Sequence, residues 1–447
     1  MHDERVADRP LRLLHFDLKG LTNFGDSVLF DGVRQLFNGF GGGGLFEMLD
    51  TYSLHRLAGP TIIDQINESF DAVVVGGGGL FLRDTNVNEN SGWQWDIPME
   101  MLARLRKPLI VFAVGYNRFP GQDDFDPIFG THVTQCIRQS CFFGLRNQGS
   151  IEAVRRYVPA DLHDRIEHQP CPTTMAAELY PDLALAGSAR RRDESDDPPR
   201  LGVELMVDRR MVEAGYDFGR LFDRHAEVLR TLQETDQWRL ECVAHMANER
   251  HVADELIARG VTMERVDFAG SIETRERGMS YYSELPMMYG ARGHATMIPF
   301  GFGAIPLAAL THDKIRFFLD DIGHPEFGVD PDADDFEHRA LAAITGAHTR
   351  RAELHADLAR RRGELFDHTM ANMATIYERL TGETVEPSLR PYTPFERRLA
   401  ETAFALGIEV QEARAWALKR GDTIAALQRR IAELTPPEAV PQGAADQ

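Results

Sequence analysis

The sequence predicts an α/β protein of two Rossmann-like domains facing across a cleft, followed by C-terminal helices. Three observations predict it. Continuous apolar, β-branched runs at 71–75 and 109–114 read as strands covered on both faces. Helix-like amphipathic stretches separate such runs. A polar stretch, Gly187–Arg200 (GSARRRDESDDPPR), then divides this alternation from a second one.

The elements follow in order. Leu11–Phe16 reads as a buried strand and Asp26–Phe37 as a helix, with Val28, Leu29, Val33 and Leu36 on its apolar face. Phe46–Tyr52 is the next strand and Ile62–Phe70 the next helix. Asp71–Val75, Leu109–Val114 and the weaker Cys141–Leu145 are further strands. The first domain is therefore placed at 11–186, and 187–200 is the linker. In the second domain, 201–330, the strands are Leu201–Val207, Trp238–Val243 and Ala304–Ala309; Leu221–Leu232 and Glu249–Arg259 are helices. A helical C-terminal extension occupies 331–435, with long helical stretches at Glu337–Arg379 and Phe395–Leu434. The spacing of the last stretch suits a short coiled coil or a helix packed on the domains, and it is where copies of the chain would associate.

The chain has 447 residues, 43% hydrophobic and 26% charged, enough to bury sizeable cores. Lys+Arg total 49 against 69 Asp+Glu, a net charge of −20. A nucleic-acid or anionic-membrane binder is expected to be basic, so both are disfavoured. A small anionic substrate would need a locally basic pocket. Cys136, Cys141, Cys171 and Cys242 are too few and too irregular for a disulfide framework, and buried thiols are favoured over a zinc site. The first ten residues, MHDERVADRP, lack the apolar core of a signal peptide, and no apolar run approaches the ~20 residues that span a bilayer. A cytoplasmic protein with no metal and no cofactor is expected.

Four segments carry the candidate chemistry, the first three at predicted strand ends, where open α/β sheets bind ligands. Thr22-Asn23-Phe24-Gly25-Asp26 joins the first strand to the first helix; Asp26 can cap that helix, and its N–H groups can face an anion. Taken alone, the segment is better explained as a plain capped turn. Gly76–Gly79 follows a strand, and Gly77 and Gly78 carry no Cβ to bar a ligand from the backbone. Gly41–Gly44 precedes a strand and reads as a loop. Arg146, in Phe143–Asn147, would project into the cleft to hold an anion or make a surface ion pair. In Tyr289–Gly301, Arg292 and His294 flank Gly293 where a helix begins; a guanidinium forks onto carboxylate or phosphate, and an imidazole moves protons near neutral pH. Lys314 would meet the same anion or lie on a solvated face. Trp93, Gln94, Trp95 and Asp96 would stack on a sugar ring or pack in a core.

In this order the pieces resemble the polysaccharide pyruvyl transferase family over residues 11–325. The matching segments are Asn23-Phe24-Gly25-Asp26, Gly76–Gly79, Val114-Gly115, Leu145–Ser150, Arg292-Gly293-His294, Ile305-Pro306 and Asp313-Lys314. Asn147 stands where the family often has Asp, Gly293 where Leu is frequent, and Cys171-Pro172 where Asp-Pro is common; the departures point to a different acceptor. The resemblance implies a glycosyltransferase-B-like pair of domains. It also implies transfer of pyruvate from phosphoenolpyruvate to a saccharide or lipid-linked saccharide, as a ketal, in exopolysaccharide biosynthesis. Asn23, Gly77, Gly78, Arg146, Arg292 and Lys314 would bind the substrates. His294 would be the acid that protonates the enol carbon, and Asp26 a base for the sugar hydroxyl. Two other readings fit the same scaffold: a nucleotide-sugar glycosyltransferase, and an inactive scaffold assembling through its C-terminal helices.

Overall fold

The computed structural model describes residues 9–18, 23–119, 122–193, 198–213, 215–269 and 273–403. Two six-stranded parallel sheets organise it. The first comprises β1 (Leu11–Asp17), β2 (Phe46–Ser53), β3 (Ala72–Phe81), β4 (Leu109–Tyr116), β5 (Ser140–Leu145) and β6 (Ile166–His168), in the order β2-β1-β3-β4-β5-β6. The second comprises β7 (Arg200–Glu204), β8 (Arg239–Ala244), β9 (Glu264–Asp267), β10 (Met287–Gly290), β11 (Ile305–Ala309) and β12 (Gly328–Val329), in the order β12-β11-β10-β7-β8-β9. Every residue of β4 is buried, as a central parallel strand under helices on both faces requires. β9 alternates with none of this and is mostly solvent-facing, which fits the end of a sheet.

Three differences from the sequence-based expectation matter. β3 runs on through all four glycines to Phe81, so Gly76–Gly79 are strand residues rather than a loop. The proposed linker is helical in its first half: the helix Pro181–Asp193 continues through 187–193. Its polar residues find partners there. Arg190 pairs with Glu284, Arg191 donates to the Phe302 carbonyl at 3.1 Å, and Gly187 lets the helix lie directly on Ser283. The third concerns the packing of the C-terminal helices, which form where the sequence places them at Glu337–Arg379. The helix Phe336–Thr349 packs on Phe218–Asp236 in the second half, and the 31-residue helix Arg351–Thr381 crosses back to the first half. Leu354 and Leu358 are buried near its start, and Met370, Met373 and Ile376 near its end. Asn372 there donates to the His168 carbonyl at 2.7 Å, and Arg379 to the Cys141 carbonyl at 2.9 Å. The chain then pairs Leu389 with Phe40 in the first half. This region is therefore a brace between the halves rather than an appendage. Residues 394–403 are helical, and the rest of the Phe395–Leu434 stretch lies outside the described residues. No described helix is long and apolar enough to cross a membrane.

Candidate active site

Strand order reverses between β1 and β3 in one sheet and between β7 and β10 in the other. Loops leaving the carboxyl ends on either side of a reversal diverge and open a crevice. The two crevices share a boundary. Phe24, first in the helix Phe24–Gly39, donates its N–H to the His245 carbonyl at 3.2 Å, and its ring packs on His245, Phe268 and Tyr282 of the second half. Four helices begin in this region, with Asn23, Asn147, Arg292 and His312 as their N-cap residues. Exposed N–H groups at such ends favour anions.

His294 and Asp26 meet across the boundary. His294 Nδ1 lies 3.6 Å from Asp26 Oδ1, and the two side chains are 11% and 21% exposed. His294 Nε2 is buried without a hydrogen-bond partner. Gly25 makes the approach possible: a Cβ there would sit 2.5 Å from the His294 Cβ. Capping falls to Asn23, whose side chain accepts from the Gly25 N–H at 3.0 Å, and not to Asp26. Asp26 sits two residues into the helix and is left facing the cleft.

Arg146 follows β5 and is 5% exposed. Its guanidinium lies on Gly115 of β4, where any side chain would collide with it, and beside Gly79 of β3. Its Nε and one Nη are buried with no hydrogen-bond partner. Lys314 packs its stem on Gly293. It stands in the first turn of the helix Asp313–Asp321, the unfavourable end for a cation.

Two expectations meet a different geometry. Arg292 does not stand ready for a ligand fork: its Nε is bound by Glu249 and lies 3.5 Å from Glu204, both carboxylates being fully buried. Glu204, at the end of β7, also accepts the N–H groups of Ala291 and Arg292 at 3.0 and 2.9 Å. Gly77 and Gly78 face Leu29, with Ala113 also over Gly77, so the protein itself fills that space. Only Gly79 opens toward Arg146 and Asn117. Trp93 and Trp95 are in the core, where Trp93 donates to His132 at 3.0 Å and both indoles pack together; neither offers a face to a sugar.

The charges converge. Burial pushes the Asp26 carboxyl up, while Lys314, Arg292, Arg146 and His55 pull it down. Burial, then Arg146, Lys314, His245 and Arg292, push His294 well below the ordinary imidazole range. The first helical turn it occupies acts in the same direction. Burial and then Glu249 raise Glu204. Arg146, Lys314, Asp26 and His294 thus share one small, cation-rich volume inside an acidic protein. Several members were not visible in the sequence: Asn117, 3% exposed; His55, held by Gln94 at 3.0 Å; and the Glu204–Glu249 pair. A carboxylate closing the apolar strand Leu201-Gly202-Val203 was the one available signal.

Gly25→Ala tests the His294 contact. The substitution suits a helix first turn, so the isolated helix would not suffer, but the new methyl must displace the imidazole. The expected result is a folded protein with turnover lower by about tenfold or more, since small misplacements cost heavily in catalysis; unchanged turnover would separate His294 from the chemistry.

Comparison with known proteins agrees with this architecture. The S. aureus MnaA–UDP co-structure superposes with a TM-score of 0.54 at 10% identity, covering 86% of this chain and 100% of that one. A putative UDP-N-acetylglucosamine 2-epimerase from Listeria monocytogenes gives 0.51 at 11% identity, covering 85% and 100%. The one from Neisseria meningitidis bound to UDP-GlcNAc gives 0.50 at 9%, covering 82% and 99%. These likenesses concern the fold: two parallel-sheet domains of the glycosyltransferase-B type. A search of curated proteins found no match to the chain. The family model for polysaccharide pyruvyl transferase matches residues 23–313, from the helix cap at Asn23 to Asp313, the first residue of the helix that carries Lys314. With well over half its length matched, and the paired parallel sheets in place, the chain belongs to the polysaccharide pyruvyl transferase family.

Proposed function

We propose that the protein transfers the pyruvyl group of phosphoenolpyruvate to two hydroxyls of a saccharide, forming a ketal and releasing phosphate. The observation that carries this reading is Arg146. A buried guanidinium with two unpartnered nitrogens is costly unless an anion completes it. Lys314 and the helix N-termini add to the same field, and phosphoenolpyruvate offers a carboxylate and a phosphate on a three-carbon frame. Arg292, tethered by Glu204 and Glu249, contributes long-range charge and shapes the loop that presents His294.

The residues divide the chemistry as follows. His294 gives a proton from Nε2 to the methylene carbon, leaving a cationic centre at the enol carbon. A sugar hydroxyl attacks that centre and gives its proton to the Asp26–His294 pair. The carbon–oxygen bond to phosphate breaks, the second hydroxyl closes the ketal, and its proton leaves with phosphate. Acid–base groups so placed contribute about 10²–10⁴-fold. Fixed cations facing the departing phosphate act on the later barrier.

His294 is held neutral in the free protein, so it must gain its proton with the donor. The donor's negative charge offsets Arg146 and Lys314 and raises both His294 and Asp26. Binding of phosphoenolpyruvate at pH 7.5 is therefore expected to take up protons, measured by calorimetry in two buffers of different ionisation enthalpy. Zero uptake would remove the proton role of the pair. By the same sign, kcat/KM falls as pH rises.

The direct test is a donor screen read by mass spectrometry. Phosphate release from phosphoenolpyruvate, with the pyruvyl increment on a saccharide, supports the proposal. Release of nucleoside diphosphate from a sugar donor instead, as the UDP-bound fold relatives would suggest, overturns it.

A further inference from the structure

A second cationic cavity lies at the opposite end of the second sheet. Its volume is about 720 Å³. Its floor is formed by the amino ends of the strands: Arg200 starts β7, Arg239 starts β8 and Met287 starts β10. β7 carries Arg200 to this cavity and Glu204 to the active cleft, about 13 Å apart along the strand. The two sites therefore do not overlap.

The cavity's charge is compensated only in part. Arg200 is neutralised by Glu241, its Nε 2.7 Å away. Arg239 pairs with Glu241 and Glu264 at 3.5 and 3.3 Å. Arg191, Arg351 and Arg362 have no carboxylate within ion-pair distance among the described residues. Arg191 spends its donors on the Leu285 and Phe302 carbonyls and the Ser188 hydroxyl. Those contacts suit a cation at the end of the helix Gly293–Phe302 and give Arg191 a structural role. Arg362 has no such reason. Its Nε is buried without a partner, and both guanidiniums converge on Gly303, where a Cβ would lie 3.2 Å from Arg362 and 3.7 Å from Arg191. Glu178 acts on Arg362 only from beyond ion-pair reach. Burial, then the neighbouring Arg362, lower Arg191 to about 10. Bringing two guanidiniums together in a molecule of net charge −20 is unfavourable without an anion between them.

The remaining wall is apolar, with Pro199, Pro286, Met287 and Phe302. We infer that this cavity binds a phosphate-bearing molecule with an apolar or aromatic portion, its phosphate held by Arg351 and Arg362 with the charge of Arg191 beside them. A phosphate takes planar forks from guanidinium groups, and the apolar wall takes the body. The inference is independent of the reaction proposed for the cleft. The chain's own Glu194-Ser195-Asp196-Asp197 lies in sequence between the lining residues Arg191 and Pro198, and it is the competitor the test must separate.

The probe is phenyl phosphate, titrated calorimetrically against the full chain. Arg362→Gln and the exposed Arg351→Gln are each expected to weaken one site, about tenfold or more for Arg362→Gln, the loss of a charge-assisted hydrogen bond. Arg146→Gln leaves that site intact while altering the cleft. Arg351 is on the rim and its replacement cannot unfold the core, so the test survives if Arg362→Gln is unstable. Tighter binding in a Glu194→Gln, Asp196→Asn, Asp197→Asn variant supports the cavity, since removing nearby negative charge favours an anion there. Equal affinity in wild type and both cavity variants overturns the inference. So does the absence of saturable binding in both wild type and the triple variant.

Discussion

Arg146→Gln is expected to abolish donor use without weakening the fold. Removing one charged donor from a preorganised site typically costs about 10²–10³ in rate, and here the loss should appear in kcat/KM for phosphoenolpyruvate. The stability side gives the test its edge. In the free protein this guanidinium is buried with two nitrogens unpartnered, so its charge is a cost to folding. Gln is smaller, neutral and fits beside Gly115 and Gly79. The thermal midpoint without ligand should hold or rise, while the stabilisation given by added phosphoenolpyruvate should disappear. A fall of several degrees in the free protein, with kcat/KM retained, would make Arg146 a structural residue and remove the central support for the proposed reaction.

His294→Ala is the second large effect. Losing a general acid lowers turnover by about 10²–10⁴-fold. Because the imidazole is neutral in the free protein, the variant removes no resting charge, and KM for the donor should change little. The proton uptake on donor binding should fall with it. The measurement is kcat and KM determined separately across pH, beside calorimetry. Near-normal kcat would reassign the proton to another group. A large rise in KM at unchanged kcat would make His294 a binding residue.

Most of the sheet framework was legible. β1, β3 and β4 are apolar or β-branched runs that read plainly, as do β7, β8 and β11, while β2, which carries Glu47 and Asp50, and the short β5 gave weaker signals. β6, β9, β10 and β12 were not legible. They are two to four residues long, and Glu264–Asp267 is charged at both ends; such pieces are strands because a neighbour supplies hydrogen bonds. The helix through 187–193 was hidden by its charge, since composition cannot show that Arg190 has Glu284 waiting on another helix. At the site, the sequence marked the right turns but misjudged some roles within them. Asn23 and Asp26 are both good caps, and only coordinates decide which oxygen meets the N–H. Arg292 looked free because Glu204 and Glu249 are remote in sequence. The glycines in β3 signalled close approach, and most of the approaching atoms belong to the protein.

The helix Arg351–Thr381 has a mechanical consequence. The polypeptide has passed between the halves once by Gly187, where the helix Pro181–Asp193 lies on Ser283 of the second half; it passes again along Arg351–Thr381 and then pairs Leu389 with Phe40. Two covalent passages fix a line, so the cleft can open and shut by swinging about that line, while sliding or wringing the halves apart strains both at once. Substrate entry is thereby reduced to a single swinging coordinate, one whose stiffness is set far from the reacting atoms.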